Sequence, residues 1–453
     1  MNLQKKRNVK SSKNKDDETA VKLPIIVPTD DLNAKFDKAE IILQGALKKV
    51  IEEDYRNSSE TDKVRTYTRR QAKKILGNPT EAVFNAYLKD PEISEFIKKK
   101  NNNNNVYDVE VLWTIMVKFD LWDLEEHTEP RIIPWMGHKG GTGKTTSCIN
   151  IGMSVGELTL RSSETVIIDM DPQGNSTTNL IKDSHKVAGD DYVSRSHESA
   201  ISLMLRYMNG EDITSDIINE ALKTTGMPNV FLLPANSFFD SESASKITKA
   251  YNSIQDLTEE ELAAKEKTGF YRIYNEYEYS YYLIFYFAII KPLSDFKYIF
   301  IDCPPQINEL TNMITLASSH IIAPLVPSEY ELMTAAKLIS QTKVLINKHE
   351  KLINDGVIPE KDFFFLPLNK QLSKQLSSKI SDTLHKHLSN GMYIHDSFDA
   401  SPAIEKLSSI QATACSVNKN HYKEVIGNNF VGDLNRLETN VTDIAKQILK
   451  LVR

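Results

Sequence analysis

The sequence contains few cysteines, no long apolar run and no secretory signal. Its three cysteines, Cys148, Cys303 and Cys415, are far apart and form no Cys-x-x-Cys pair, which argues against a disulfide framework or a zinc site. No segment approaches the roughly 20 uninterrupted apolar residues of a membrane-spanning helix, and the Lys-rich residues 1–17 lack an apolar core. The sequence therefore predicts a cytoplasmic protein.

Glycine is also scarce, and its distribution is uneven. Only 17 of the 453 residues are glycine, which is below the usual fraction of about 7%. Nevertheless Gly137, Gly140, Gly141 and Gly143 fall within seven residues of one another. A chain that avoids glycine and then clusters it requires an unusual backbone at that point.

Composition divides the chain into four predicted parts. Residues 1–28 are rich in Lys, Asn and Ser and predict a disordered tail. Residues 29–62 show an apolar 4-3-4-3-4 spacing, which indicates either a dimerisation helix or a helix packed on its own domain. Residues 63–128 carry the signals of two short helices, and residues 129–453 predict an α/β domain.

Residues 63–128 predict an all-α domain of the winged or helix-turn-helix kind. Thr68-Arg-Arg-Gln71 is a capping box that opens a first helix, and Gly77 ends that helix. Asn78-Pro79-Thr80-Glu81 is a second start signal with Asn78 as the cap. Two short capped helices joined by a glycine turn outline a helix-turn-helix. The inward face of the second helix is expected to contain Val83, Phe84, Tyr87 and Leu88.

Basic residues cluster at the start of this segment. Between residues 63 and 74 there are six of them and no acid, although the whole chain has a net charge of −6. Such a cluster is expected either to contact DNA phosphates or to form a solvated basic face on an ordinary helical hairpin. The second helix would enter a major groove and present Thr80, Glu81 and Asn85. The predicted DNA-binding residues are Lys63, Arg65, Arg69, Arg70, Lys73, Lys74, Thr80 and Asn85.

From Arg131 onwards, short apolar runs alternate with helical stretches. The runs lie at residues 166–168, 230–233, 298–301, 321–322 and 363–365. Continuous apolar strands of this kind predict a doubly wound, mostly parallel sheet with helices on both faces. Pro134 interrupts the run that precedes the glycine cluster, so that strand is expected to begin at Trp135 or to bulge there.

A phosphate-binding loop is predicted at residues 139–146. Its sequence, Lys-Gly-Gly-Thr-Gly-Lys-Thr-Thr, lies between an apolar strand and a helical stretch. Glycines let backbone N–H groups converge on phosphate oxygens, and the N-terminus of the helix adds a positive dipole end. Lys144 is placed to reach the β- and γ-phosphates, and the Thr145 hydroxyl is placed to bind Mg²⁺. His138 stands where the common spacing has its first glycine, so the loop follows a pattern of its own.

Three acids, Asp169, Asp171 and Asp302, follow or end predicted strands. Ligands of open α/β sheets bind at the carboxyl ends of the strands. These acids are therefore candidates for holding a metal ion and for positioning a water molecule beside the phosphate loop.

The segments 139–146, 169–174 and 301–305 resemble the deviant Walker A, Walker A′ and Walker B motifs of the ParA/MinD family of P-loop NTPases. The longer match Asp171-Pro-Gln-Gly-Asn-Ser-Thr177 and the Asp302-Cys-Pro-Pro305 form point to the ParA branch. The helix-turn-helix ahead of the ATPase segment resembles that of the larger plasmid partition proteins, which also repress their own operon. Thr142 departs from the valine usual in the family's loop.

The resemblance implies a role for each matching residue. Lys139 would reach the nucleotide in the partner subunit, and Lys144 would contact the β- and γ-phosphates. Thr145 would bind Mg²⁺, and Asp302 would hold it through water. The implied nucleotide-binding residues are Gly140, Gly141, Thr142, Gly143, Lys144, Thr145, Thr146 and Asn369.

The resemblance also implies an activity. Asp171, supported by Asp169, would orient the attacking water in a Mg²⁺-dependent ATPase that takes ATP to ADP and is stimulated by DNA and by a ParB-like adaptor. The ATP form would be a homodimer that binds DNA without sequence preference and partitions a plasmid or another low-copy replicon on the nucleoid. The helix-turn-helix would add operator binding and repression.

Two alternatives remain open at this point. One is a nucleotide-switched transcriptional repressor. The other is a membrane-cycling ATPase like MinD, because residues 441–453 form an amphipathic pattern with flanking basic residues. A closing helix packed on the domain explains the same pattern. The Tyr-rich stretch 271–286 has no assigned role and is expected to be a buried helix.

Overall fold

A computed structural model gives the structure of the chain. It describes residues 65–95, 97–99, 105–123, 129–137, 141, 143–181, 198–236, 243–255, 258, 260–261, 280–306, 308–369, 382–384, 386, 391–410 and 412–452. The chain divides into two units, Met1–Asn57 and Ser58–Arg453, and all described residues belong to the second. The predicted tail (1–28), the predicted N-terminal helix (29–62) and Lys63 lie outside the described residues.

The part of the chain before residue 129 contains strands as well as helices. Its elements are β1 (Thr66–Tyr67), α1 (Arg69–Ile75), α2 (Glu81–Leu88), α3 (Pro91–Ser94), β2 (Lys98–Lys99), β3 (Asn105–Asp108) and α4 (Val109–Lys118). β3 pairs antiparallel with β1 on one side and with β2 on the other. The expectation of an all-α segment is corrected, because strands of two to four residues leave no visible alternation in the sequence. The helices α1 and α2 therefore lie in a segment that also contains a three-stranded antiparallel sheet.

The first predicted helix of this segment forms as the sequence indicated. The Thr68 side chain accepts the backbone N–H of Gln71, and the Gln71 side chain accepts the backbone N–H of Thr68 at 2.9 Å. The predicted capping box is therefore confirmed. Gly77 follows the helix with a φ of +81°, a conformation that strains any residue with a Cβ atom.

The second helix begins two residues later than predicted. Asn78 is left-handed, with a φ of +57°, and the N-cap is Thr80, whose hydroxyl accepts the N–H of Val83. The Thr80 hydroxyl thus has a structural role at the helix start. Phe84 is buried as expected, but Val83 was wrongly predicted to face inward and is 42% exposed.

From residue 131 onwards the chain is α/β. Its first half consists of β4 (Arg131–Trp135), α5 (Lys144–Leu158), β5 (Thr165–Asp169), α6 (Asn175–Leu180), α7 (Ala200–Met208), α8 (Ser215–Ala221), β6 (Lys223–Thr224), β7 (Val230–Leu233), α9 (Ser243–Gln255) and α10 (Ser280–Phe285). Its second half consists of β8 (Tyr298–Asp302), α11 (Glu309–Ala317), β9 (His320–Leu325), α12 (Glu329–Lys348), α13 (Glu350–Asn354), β10 (Asp362–Asn369), β11 (Phe398–Asp399), α14 (Pro402–Ser409), α15 (Lys419–Val425) and α16 (Val431–Leu451).

The strands form one sheet in the order β11-β10-β9-β4-β8-β5-β7-β6. All neighbours are parallel except β6, which is antiparallel to β7. Each predicted apolar run is a strand, and every residue of β5 and β8 is buried. The expected doubly wound, mostly parallel sheet is confirmed. A solvent-excluded strand needs apolar residues on both faces, which is why continuous runs located these strands correctly.

The strand containing Pro134 is continuous, contrary to the expectation of a late start or a bulge. β4 begins at Arg131 and stays in register with β8, with Pro134 opposite Ile301. On the β9 side, the N–H of Ile132 donates to the Ser319 side chain and the N–H of Met136 donates to Ile322. The even-numbered residues of this strand therefore point their N–H groups towards β9. Pro134 is one of them, so the N–H that it lacks would have pointed to that side. The unbroken ladder with β8 lies on the other side.

Apolar side chains cover both faces of the sheet. On one face α5 and α16 share a core with residues 65–118, called the N-terminal segment below, which contribute Tyr107 and Leu112. On the other face α7, α10 and α11 form a second core. Residues 280–286 of the Tyr-rich stretch are helical, and most of the side chains described there are buried, as expected. Residues 271–279 lie outside the described part of the chain.

Arg65 joins the N-terminal segment to the α/β part through a buried ion pair. It is 6% exposed, and its Nη2 lies 2.8 Å from Glu157 Oε1 on α5 and 2.5 Å from Glu438 Oε1 on α16. Arg65 was predicted to contact DNA, and this prediction is wrong because β1 holds its guanidinium between two internal carboxylates. Burial alone would raise the pKa of Glu438, but Arg65 and Lys419 outweigh it and hold that pKa below its ordinary value.

Removing Arg65 is expected to destabilise the protein strongly. The Arg65→Ala variant leaves two partly buried carboxylates without their shared cation, which costs about 3–5 kcal/mol for buried pairs of this kind. Urea unfolding of the variant beside the wild type measures the difference. The matched control is Arg436→Ala, because the Arg436 side chain is 81% exposed where it pairs with Asp433 and exposed pairs contribute about 0–1 kcal/mol.

The same experiment has a defined pH dependence. A carboxylate with a depressed folded pKa stabilises the fold above its unfolded pKa of about 4.3 and loses that contribution as the pH falls through the folded value. The difference between the wild type and Arg65→Ala should therefore shrink on acidification. An Arg65→Ala loss no larger than that of Arg436→Ala would contradict the assignment.

Candidate functional site

The candidate site lies at the carboxyl ends of β4, β5 and β8, which are neighbours in the sheet. Asp302, the last residue of β8, is in register with Trp135 of β4 and with Asp169 of β5. The chain leaves β4 towards β5 and β7 and later places β9 on the opposite side of β4. Such a reversal opens a crevice at the strand ends, where ligands of doubly wound sheets bind.

The described part of the phosphate loop has the backbone expected of an anion cradle. Gly141 and Gly143 are left-handed, with φ values of +68° and +86°. Gly143 is the N-cap of the 15-residue helix α5 and offers no side-chain acceptor to its first N–H groups. The first N–H groups of a helix point out of its N-terminus, which is where anions bind. His138, Lys139, Gly140 and Thr142 lie outside the described residues, so their roles stay predictions.

Lys144 is the first residue of α5 and is 6% exposed. Burial lowers the pKa of its ammonium, while the nearby carboxylates Asp302 and Asp171 act in the opposite direction. The structure therefore brings the predicted phosphate-binding lysine together with two of the three predicted acids. A buried cation at a helix N-terminus is a strong binding position for a polyphosphate.

Asp302 has the features of a carboxylate that holds a metal ion. It is completely buried, and one oxygen, Oδ2, accepts the Ser176 hydroxyl at 2.7 Å. Its other oxygen, Oδ1, has no hydrogen-bond partner among the described residues. Burial raises the pKa of Asp302 to about 6, while the nearby hydroxyls of Ser176 and Thr145 act to lower it.

These oxygens fit Mg²⁺. An unpartnered buried carboxylate oxygen beside a threonine hydroxyl is a hard oxygen donor set, and Mg²⁺ keeps several waters while binding one or two carboxylates and substrate phosphates. Within the described residues no group of three or more His, Cys, Asp or Glu side chains could hold a metal ion.

Asp169 organises the loop that follows β5. Its Oδ1 accepts the N–H of Asp171 at 3.2 Å, and its Oδ2 accepts both the N–H and the hydroxyl of Thr177 at 2.7 Å. Burial, and then the charge of Asp302, raise the pKa of Asp169 well above its ordinary value. Because both of its oxygens accept hydrogen bonds within the loop, Asp169 stabilises the loop, and neither oxygen is directed at a substrate.

Asp171 occupies the turn between β5 and α6. It is 8% exposed, and its Oδ1 accepts the N–H of Gln173 at 3.0 Å. Gly174 is left-handed, with a φ of +64°, and starts α6. The turn places Asp171 near Lys144 at the same edge of the sheet, as the sequence predicted.

Ser176 and Thr177 are functional-site residues that the sequence reasoning did not assign. Ser176 contacts Asp302, and the Thr177 hydroxyl also accepts the N–H of Ala235. Ala235 belongs to Leu233-Pro-Ala-Asn236, which follows β7. The sequence signal that could have identified them is a pair of adjacent hydroxyl residues at the start of a helix that follows the strand-end acids. Asn369, predicted to lie near the adenine, ends β10 opposite Asp399 of β11, and its side chain is not described.

The predicted DNA-binding residues form a mixed surface rather than a purely basic one. Arg69 Nη2 lies 2.7 Å from Glu81 Oε2 and 2.5 Å from Asn85 Oδ1. Lys73 also pairs with Glu81, at 2.9 Å. The sequence stretch without acids is therefore partly neutralised by an acid of the next helix. Arg70 and Lys74 are exposed on α1 beside these pairs.

The apolar face of the C-terminal helix is covered. Val441, Ile444 and Ile448 of α16 are buried in the core shared with α5. Among the described residues, no helix has the length and apolar character needed to cross a bilayer.

Comparison with known proteins finds similarity over about half of the chain. The family described as AAA domain matches residues 130–354. The chain is 27% identical over 212 residues to the chromosome-partitioning ATPase Soj of Treponema pallidum, covering 47% of this chain and 63% of that protein. It is 24% identical over 230 residues to the sporulation initiation inhibitor protein Soj of Bacillus subtilis, covering 50% of this chain and 71% of that protein.

A solved structure described as a partition protein shares the fold. It superposes with a TM-score of 0.53 at 17% identity and covers 91% of this chain and 98% of its own. Residues 130–354 of this chain therefore match the family described as AAA domain, and the relatives similar to this chain include partition proteins.

Proposed function

We propose that this chain is a Mg²⁺-dependent ATPase that partitions a plasmid or another low-copy replicon. The observation that carries the proposal is the buried Asp302 carboxylate, whose Oδ1 has no partner in the described part of the chain and which lies beside Thr145 and Lys144. A triphosphate at the N-terminus of α5 would meet the Lys144 ammonium and the positive end of the helix dipole. Bound Mg²⁺ would neutralise charge on the phosphates.

Different residues of the chain have different roles in the proposed hydrolysis. Lys144 binds the β- and γ-phosphates, and Asp171, at the turn above β5, orients the attacking water. Asp169 holds that turn in place through its bonds to Asp171 and Thr177. Lys139 would be donated across an ATP-sandwich homodimer, where its positive charge stabilises the transferring phosphoryl group as an arginine finger does.

The Asp171→Ala variant is expected to separate binding from hydrolysis. Loss of a group that positions water should lower phosphate release about 100-fold or more, whereas binding of a fluorescent ATP analogue should stay within about threefold of the wild type. The measurements are phosphate release with DNA present and fluorescence titration with Mg²⁺. Lys144→Ala should instead lose binding itself.

Asp295→Ala is the matched control for this experiment. Asp295 is an exposed carboxylate just before β8, at the opposite edge of the sheet from Asp302. Its removal should leave both binding and phosphate release unchanged. Wild-type hydrolysis by Asp171→Ala would contradict the role given to Asp171.

Partition follows from coupling this ATPase to DNA. The relatives named above include a chromosome-partitioning ATPase, which supports transport of a replicon as the use of hydrolysis. In this proposal the ATP dimer binds nucleoid DNA without sequence preference, and a ParB-like centromere-bound adaptor stimulates hydrolysis and release. The proposed location is the cytoplasm, on the nucleoid.

Operon repression is a second candidate function, supported by the pair of short capped helices α1 and α2. The two short helices α1 and α2 lie beside a three-stranded sheet, and α2 exposes Val83 and Asn85 to solvent. Arg70 and Lys74 are exposed on the neighbouring helix. A helix of this kind can enter a major groove while basic residues contact phosphates. Thr80 and Glu81, at the N-terminus of α2, would then lie at the end of the helix that enters the groove.

The double variant Arg70→Ala/Lys74→Ala is expected to weaken operator binding and flatten its salt dependence. Two lost phosphate contacts should reduce the slope of log K against log salt by about 1.8. Binding of operator fragments at several salt concentrations measures the slope. These two residues are a sharper choice than Arg69 and Lys73, whose removal would also break the pairs with Glu81.

The double variant Lys351→Ala/Lys450→Ala is the control, since it removes the same charge from exposed positions outside α1 and α2. Its salt slope should match the wild type. An unchanged slope in Arg70→Ala/Lys74→Ala would rule out these phosphate contacts.

The MinD-like alternative receives less support. Its membrane-binding helix would need the apolar face of α16, and that face is buried against the protein core. Sedimentation with anionic liposomes in the presence of ATP distinguishes the two proposals. Recovery of the protein with the liposomes would favour membrane cycling over partition.

A further inference from the structure

The hydroxyl of Ser176 bonds a carboxylate of the site from a different part of the chain. Ser176 is completely buried on α6, and its Oγ donates to Asp302 Oδ2 at 2.7 Å. The two residues are 126 positions apart in sequence. A serine in a short helix could instead have bonded a backbone carbonyl of its own turn, as Thr178 does with Gly174.

The bond leaves the two oxygens of Asp302 in different states. Oδ2 is occupied by Ser176, whereas Oδ1 has no partner among the described residues and belongs to the same carboxylate that Thr145 approaches. A carboxylate on a two-carbon side chain can rotate and exchange its oxygens unless one of them is fixed. Groups that fix a metal ligand in this way typically contribute 10- to 100-fold to metal affinity.

We propose that Ser176 is a positioning residue that holds Asp302 so that Oδ1 alone faces the Mg²⁺ of the bound nucleotide. This inference rests on the Mg²⁺-nucleotide binding proposed above. Thr177, the next residue, holds Asp169 through its N–H and its hydroxyl. The first turn of α6 therefore positions two carboxylates on adjacent strand ends, and the loop carrying Asp171 is joined to the metal ligand through one hydroxyl.

The Ser176→Ala variant tests the role through its Mg²⁺ dependence. Binding of a fluorescent mant-ATP probe is titrated with Mg²⁺ and, separately, measured in EDTA. The expected result is a half-saturating Mg²⁺ concentration raised about 10-fold or more, with mant-ATP affinity in EDTA unchanged. Ser176→Thr keeps the hydroxyl and should restore the wild-type Mg²⁺ dependence.

Ser318→Ala is the matched control. Ser318 is also completely buried, and its hydroxyl donates to the carbonyl oxygen of Thr315 in its own helix, at the end of α11 that leads into β9. This variant removes the same group from a site remote from the carboxylates. Its Mg²⁺ titration should coincide with that of the wild type.

Three results would overturn the inference. The first is a Ser176→Ala titration that coincides with the wild type. The second is an equal loss of mant-ATP affinity with Mg²⁺ and in EDTA, since a merely structural role would act on both. If circular dichroism shows that Ser176→Ala does not fold, Ser176→Cys replaces it, and its weaker donor should give an intermediate Mg²⁺ dependence. The third contradicting result is a Ser176→Cys titration that coincides with the wild type. Failure of the wild type to bind mant-ATP with Mg²⁺ would instead defeat the proposed ATPase function.

Discussion

The burial of Lys144 beside Asp302 and Asp171 is the interaction on which the rest of the site depends. Charged groups removed from water are costly unless each is paired or hydrogen-bonded. Here the ammonium lies near the carboxylates, Ser176 bonds Asp302, and Thr177 and the N–H of Asp171 bond Asp169. These requirements explain why two left-handed glycines, a short helix and three strand ends converge at one edge of the sheet.

Helix α5 connects this edge to the N-terminal segment. It carries Lys144 in its first turn and Glu157 near its other end, where Glu157 meets the buried Arg65. The helix also approaches β7 closely, since a Cβ atom on Gly156 would lie 2.1 Å from Val230 Cγ2. The scarcity of glycine in the sequence therefore has two local exceptions, the phosphate loop and this helix–strand contact. Gly141 and Gly143 of the loop have a left-handed backbone, whereas Gly156 lies where β7 leaves no room for a side chain.

Local patterns predicted most of the α/β fold. Buried parallel strands need apolar residues on both faces, so the run 298–301 and its counterparts located β5, β7, β8, β9 and β10. The capping box at Thr68 was equally readable, because a cap depends on residues three positions apart. The predictions that failed depended on distant neighbours or on cap geometry. Arg65 is neutralised by glutamates on α5 and α16, and Asn78 took the left-handed turn while Thr80 capped α2.

The sequence by itself determined that a glycine loop would open a helix after a strand and that acids would end the neighbouring strands. Spacing along the chain carries that information because strand, loop and helix are consecutive. Only the tertiary structure decided how each carboxylate is used. Ser176 and Asp302 are 126 residues apart, and which oxygen is bonded and which stays open depends on how β5, α6 and β8 pack. No local pattern encodes that choice, since it arises from side chains that meet only after the sheet has assembled.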